Sequence, residues 1–161
     1  MRSFLEVCEG ARLTEFPAGE VLLPEGTTSG HLFVLKDGVV EVLRGDTQVA
    51  TVEEPGALFG EMSVLLSRPH TATVRTLTPC KVYVFDDAAN FLRSNPQVAY
   101  HVARLIAGRL NAATSYLADI KRQFEDRTDH LGMVGEVLDT LMHNQEDEFK
   151  PGPERETDPR L

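Results

Sequence analysis

Between Leu13 and Phe85, short apolar runs alternate with tight-turn residues, and no long helical period interrupts them. Val21-Leu22-Leu23, Leu32 to Leu35, Val39 to Leu43, Val49 to Val52, Thr71 to Leu77 and Lys81 to Phe85 are rich in Val, Leu, Phe and Thr, and they read as strands. Pro17-Ala18-Gly19, Glu25-Gly26, Asp37-Gly38, Gly45-Asp46 and Pro55-Gly56 separate them. A turn every seven to twelve residues or about that suits an all-β sandwich or barrel. Asp37-Gly38 and Gly45-Asp46 read as hairpin turns, because glycine reaches positive φ without strain. Strands and helices do not alternate, which disfavours a doubly wound nucleotide fold.

The pattern changes after Asp86. Asn95-Pro96 is a helix start, with Asn to cap and Pro in the first turn. From there to about Asp126, Ile106, Leu110, Ala113, Leu117, Ile120 and Phe124 recur at alternating steps of four and three. A helix of about 30 residues is about 45 Å long, more than one small β domain covers, so this seam is expected to pair with a second copy. The same steps continue through Arg127 to Leu131, Val134, Leu138 and Leu141. A break is expected near Asp126 to Asp129, with Asp129 capping a further helix to about His143, which Gly132 and Gly135 weaken. One kinked helix and a helical hairpin both fit that pattern. From Asn144 the chain is polar and Pro-rich, with Glu146, Asp147, Glu148, Glu154, Glu156 and Asp158 against Lys150, Arg155 and Arg160, and it reads as disordered. The expected organisation is a β domain over 1–94, a long helix over 95–126, a second helical segment over 127–143 and an acidic tail over 144–161.

Composition removes several functions. Hydrophobic residues make up 42% of the 161, enough for a packed core. A net charge of −9 argues against binding a phosphate backbone, and no basic recognition helix follows the long one. No apolar run reaches the length of a membrane span. Met1 to Gly10 carries Glu6 and Glu9 and does not read as a secretory signal, so the cytosol is the expected compartment. Cys8 and Cys80 are far apart, and His31, His70, His101, His130 and His143 form no metal pair. No HExxH, GxSxG or phosphate-binding loop occurs, so neither an enzyme nor a bound metal is expected.

The stretch that carries chemistry is Phe59-Gly60-Glu61-Met62-Ser63-Val64-Leu65-Leu66, followed by Pro69-His70-Thr71-Ala72-Thr73-Val74. It reads as a strand end, a glycine turn, a helical turn with free N–H groups and a return strand. Free amides at a helix start bind anions, and Glu61 there can accept from a ligand hydroxyl.

This segment resembles the phosphate-binding cassette of the cyclic nucleotide-binding domain family, roughly F-G-E-hydrophobic-small, a short helix, then P-R-x-A-T-V. Phe16-Pro17-Ala18-Gly19-Glu20-Val21-Leu22 and Glu25-Gly26 are similar to its opening strands, and Leu32 to Leu35 with Gly38, Val40 and Val42 to its hairpin. The resemblance covers about residues 13 to 125. It implies a mainly β protein, a jelly-roll-like β-roll with short flanking helices and a long C-terminal dimerisation helix. It implies cyclic AMP (cAMP) or cyclic GMP (cGMP) as ligand rather than a cofactor, and a helix that moves on binding to signal to a protein partner. Carried over, Glu61 binds the ribose 2′-hydroxyl. Phe59, Gly60, Met62 and Ser63 lie along the sugar-phosphate, Ala72 offers its amide to the phosphate, and Thr71 contacts phosphate or base. Thr114 and Ser115 fall near positions where the long helix donates a hydroxyl to the base.

One residue departs from the pattern. His70 stands where the family has an Arg that pairs with the cyclic phosphate. Arg offers a permanent charge and a two-pronged fork, whereas neutral His offers one donor. A lost charged hydrogen bond is worth ~1.5–3 kcal/mol, or roughly one to two decades of affinity. Arg68 is a possible surrogate. The competing expectation is therefore a degenerate module that keeps the roll for dimerisation or protein docking and has lost its ligand.

Overall fold

A computed structural model of the chain describes residues 3–124 and 128–142. The expected acidic tail over 144–161 and residues 126–127 of the break expected near Asp126 to Asp129 lie outside the described residues. Two compact units can be distinguished, Met1–Ala103 and Arg104–Leu161.

The first unit holds eight strands in two antiparallel sheets. Strands β1 (Arg12–Phe16), β8 (Cys80–Phe85), β3 (Leu32–Asp37) and β6 (Leu58–Phe59) form one sheet in that order. Strands β2 (Val21–Leu23), β7 (Thr73–Thr76), β4 (Val40–Arg44) and β5 (Thr47–Val52) form the other. Leu22, Leu23, Phe33, Leu35, Val40, Phe59, Val74, Val82 and Val84 from both sheets make one buried apolar cluster, so the sheets enclose the core as a roll. In β3, Leu32 to Leu35 are all buried: Phe33 and Leu35 join the cluster between the sheets, while Leu32 and Val34, on the strand's other face, are buried outside it, hence an apolar run without alternation.

Gly45-Asp46 is a hairpin turn, as expected. It joins β4 to β5 with Arg44 opposite Thr47, and Gly45 has φ +58. Asp37-Gly38 is not a hairpin. Strand β3 pairs with β8 and β6, and β4 with β5 and β7, so the chain crosses between sheets at Gly38. Gly38 is needed there for two reasons. Its φ is +109, and a Cβ would stand 2.5 Å from Cys80 Sγ and 2.7 Å from the Pro79 carbonyl.

Short helices flank the roll. Ser3 and Glu6 close a capping box on α1 (Phe4–Cys8), which is too short to show a helical period. Burial pushes the Cys8 thiol up to about 11, so it stays protonated and inert. Helix α2 (Glu61–Leu66) follows β6, and α3 (Ala88–Ser94) follows β8. The long helix α4 runs over Pro96–Gln123. Pro96 opens it as expected, but the Asn95 side chain turns back, its Nδ2 donating to the Phe91 carbonyl of α3 at 2.8 Å. The Asn95 carbonyl instead receives the Ala99 N–H, at 3.0 Å. Inside the first unit α4 buries Val98 and Val102, and His101 stacks on Phe4 at 4.3 Å.

In the second unit, Ile106, Leu117 and Ile120 of the apolar seam are half-buried, Ala113 is exposed, and Leu110 and Phe124 are 44% and 41% exposed. The seam does not continue in one helix. Helix α5 (Thr128–Met142) is separate, and Asp129 lies inside its first turn rather than before it. Lys121 Nζ lies 3.8 Å from where a Cβ on Gly135 would stand. In a straight helix those positions would be about 21 Å apart, so α5 turns back rather than extending α4. Among the described residues no helix is long and apolar enough to cross a membrane.

Gly38→Ala should lower stability by about 2–4 kcal/mol, from left-handed strain together with overpacking against Cys80. Gly45→Ala, with open space around it, should cost about 1 kcal/mol. Urea denaturation of both variants measures the difference, and equal losses would contradict the crowding at Gly38.

Candidate functional site

The site grows from the end of β6. Gly60 has φ +93, and its carbonyl accepts the Val64 N–H at 3.2 Å. A Cβ on Gly60 would stand 2.4 Å from the His31 carbonyl oxygen, so only glycine lets the turn pass this loop. Gly60 offers α2 no side-chain cap. Glu61 begins the helix and is 4% exposed. Ser63 is also buried. Its hydroxyl donates to the Arg68 carbonyl, while the Arg68 N–H donates to the Ser63 carbonyl at 3.2 Å. Ser67, at φ 53, reverses the chain after α2.

The return passes through His70, which is 5% exposed. Its N–H donates to the Thr27 carbonyl and its carbonyl accepts from the Gly26 N–H, both at 2.8 Å. Its ring Nε2 lies 2.9 Å from Ser29 Oγ. Ser29 Oγ also accepts the His31 N–H, at 3.3 Å. Burial, and secondarily the charge of His31, hold the His70 imidazole below its usual range, so the ring is neutral near pH 7. His31 Nε2 in turn lies 3.7 Å from Asp86, which pairs with Arg12 at 3.0 Å.

The sequence-predicted residues divide accordingly. The loop of residues 26–31 meets two of them, Gly60 through the His31 carbonyl and His70 through Gly26, Thr27 and Ser29, while Phe59, Glu61 and Ser63 are buried. Met62 points outward, 46% exposed. Thr71 is exposed and Ala72 half-buried, both ahead of β7, which begins at Thr73 rather than at Thr71. The Arg68 residue is exposed. Thr114 and Ser115 lie on α4 in the second unit, half-buried and exposed respectively. Sequence reasoning missed Ser29 and His31. They sit in an ordinary polar loop, and nothing in their local pattern announces the contact with His70.

A second polar feature lies in the sheet. Glu41 is buried on β4, accepting from Gln48 Nε2 at 2.8 Å and from Arg75 Nε at 2.7 Å, with Arg75 Nη2 on the same oxygen. These hydrogen bonds, Gln48's first and then Arg75's, hold its carboxyl below the usual range. The triad ties β5 and β7 to β4 and belongs to the scaffold. Among the described residues no three His, Cys, Asp or Glu could hold a metal ion.

Residues 13–93 match the model of the cyclic nucleotide-binding domain, which is just over half of the chain. The chain belongs to that family. It is 27% identical over 112 residues to a CRP-like cAMP-activated global transcriptional regulator of Mycobacterium tuberculosis, covering 66% of this chain and 50% of the regulator. It is 28% identical over 135 residues to the potassium channel KOR1 of Oryza sativa subsp. japonica, covering 80% of this chain and 15% of the channel. The chain thus spans half or less of these relatives' length. The Thermus thermophilus catabolite activator protein matches the fold with a TM-score of 0.62 at 19% identity, over 87% of this chain and 81% of that one.

The buried, neutral His70 has a consequence for stability. Its pKa in the folded chain is below the unfolded value, near 6.5, so at mildly acid pH the unfolded chain binds more protons. The contribution is complete above about pH 6.5 and is lost as pH falls through that value towards the folded pKa. Urea midpoints between pH 8 and pH 5 should therefore fall less steeply in His70→Gln than in wild type. Parallel curves would show that His70 is not the group responsible.

Proposed function

We propose that this chain is a non-enzymatic, cytoplasmic regulatory module that binds cyclic AMP or cyclic GMP and signals through α4 to a protein partner. The observation that carries this reading is the segment Gly60 to His70. It has the family's order of glycine turn, helix-opening glutamate and return strand, and the burial of Glu61 at the head of α2 supports a ribose-binding role for its carboxylate. The names of the relatives point the same way, since the mycobacterial regulator is described as cAMP-activated. Glu61 is assigned to the ribose, Phe59, Gly60, Met62 and Ser63 to the sugar-phosphate, the Ala72 amide to the phosphate, and His70 to the place of the usual Arg. Thr71 is assigned to phosphate or base, with Thr114 and Ser115 toward the base. A net charge of −9 disfavours nucleic acid as the partner.

A second reading has its own observation in favour. His70 is buried, neutral and bonded to Ser29, whereas an Arg would bring a charge. A roll that has lost its ligand and serves as a dimerisation or docking module would tolerate this.

Calorimetry with cyclic AMP and cyclic GMP separates the two. Binding to either supports the sensor, and none at millimolar concentration supports the degenerate module. Glu61→Ala should weaken binding about ten- to a hundredfold while leaving the fold intact by circular dichroism. A bound phosphate favours the imidazolium, so affinity should rise as pH falls. The free ring starts below the usual range, so this rise should extend below pH 6.5. His70→Arg should bind more tightly at pH 8 and lose the dependence, because Arg stays charged. Equal profiles for wild type and His70→Arg would remove His70 from the phosphate.

We also propose a homodimer through the α4 seam of Ile106, Leu110, Ala113, Leu117, Ile120 and Phe124. Exposed Leu110 and Phe124 are the apolar surface it would cover. Light scattering should give a dimer for wild type and a monomer for Leu117→Glu with Ile120→Glu. A wild-type monomer at high micromolar concentration would contradict the interface.

A further inference from the structure

A histidine in the place of an arginine must be told which nitrogen to present. Neutral imidazole carries one donor and one acceptor, and the two nitrogens exchange roles between tautomers. In this chain the backbone of His70 is already immobilised, by Thr27 on its N–H and Gly26 on its carbonyl. The ring is oriented by a further contact, Nε2 to Ser29 Oγ at 2.9 Å. The hydroxyl has one proton and two lone pairs. One lone pair takes the His31 N–H, at 3.3 Å. The hydroxyl proton remains to be donated, and Nε2 of the buried ring is an acceptor at hydrogen-bond distance in the tautomer that carries its proton on Nδ1.

We propose that Ser29 is a positioning residue for His70: its hydroxyl donates to Nε2, holds the ring proton on Nδ1, and so leaves Nδ1–H as the donor for an anionic ligand. A guanidinium needs no such partner, since every one of its nitrogens donates. The serine is thus the companion of the histidine substitution, supplied by the loop that also packs against Gly60. The assignment rests on reading Gly60 to Ala72 as the cyclic phosphate site. It adds a residue from outside that segment, and it names the form in which His70 acts when uncharged. The neighbouring ionisable groups do not replace Ser29 in this role: His31 approaches Asp86 with its own ring, and Asp86 is paired with Arg12.

The tautomer is directly measurable. Long-range nitrogen–carbon-bound proton correlation on 15N-histidine protein at pH 8, with His70→Gln to assign the signal, should show the Nδ1–H form for His70. Ser29→Ala should shift it towards the Nε2–H form that a histidine free in water prefers, and Ser29→Thr should restore it. In calorimetry at pH 8, Ser29→Ala should weaken whichever cyclic nucleotide binds by about five- to tenfold, and Ser29→Thr should recover most of the loss. In a His70→Arg background, Ser29→Ala should change affinity by less than about twofold if Ser29 acts only through the ring. An Nε2–H tautomer in wild type overturns the proposal, and so does an equal loss in both backgrounds. If neither wild type nor His70→Arg binds a nucleotide, the sensor reading and the ligand-facing half of this proposal both fail. An Nδ1–H tautomer lost in Ser29→Ala would even then uphold the Ser29–His70 bond.

Discussion

The closest constraint in the site is steric. The His31 carbonyl lies so near Gly60 that a Cβ there would stand 2.4 Å away, and the glycine holds φ +93 to pass it. From that contact the rest of the site follows. The turn sends Glu61 into a buried position at the head of α2, and Ser63 closes the far end on the Arg68 backbone. The same loop that crowds Gly60 then receives His70 through Gly26, Thr27 and Ser29. Two pieces of chain separated by the whole of β3 to β6 are locked together by a few backbone bonds, each worth about 1 kcal/mol net. Their collective effect is orientation rather than stability. They fix the Gly60 turn and the His70 backbone against the same loop.

The frame owes its shape to the division of labour between the two sheets. A chain that crosses at Gly38 from β3 to β4 places successive strands in different layers, so both layers contribute to one core. The sheet of β2, β7, β4 and β5 is further tied by Glu41, whose buried carboxylate is tolerated because Gln48 and Arg75 satisfy it. His70 is the opposite case. Its ring is buried beside another histidine rather than a carboxylate, so the protein keeps it uncharged. An arginine in that position would remain charged and would need an anion close by. Under the proposed reading, His70 in the place of an Arg would give the site conditional rather than permanent charge, within a chain of net charge −9.

The sequence by itself determined the strand-and-turn character of residues 13–85, the helix opening at Pro96, the hairpin at Gly45-Asp46 and the segment Phe59 to Val74. All of these rest on local rules. Glycine at positive φ, proline in a first helical turn and β-branched runs between turn residues constrain the chain over a few bonds. Tertiary structure decided the rest. Asp37-Gly38 has the composition of a hairpin, yet it is a crossing, because pairing partners are chosen by the packing of distant strands. Asn95 has the composition of a cap, yet its amide serves the preceding helix. The heptad steps run past Phe124 in sequence, while α5 turns back in space, since a periodic stripe records which residues avoid water and not which surface covers them. Ser29 and His31 belong to the same class. Their significance comes from His70 and Gly60, about 40 and 30 residues away in the chain, and only folding brings a polar loop close enough for one hydroxyl to orient a ring.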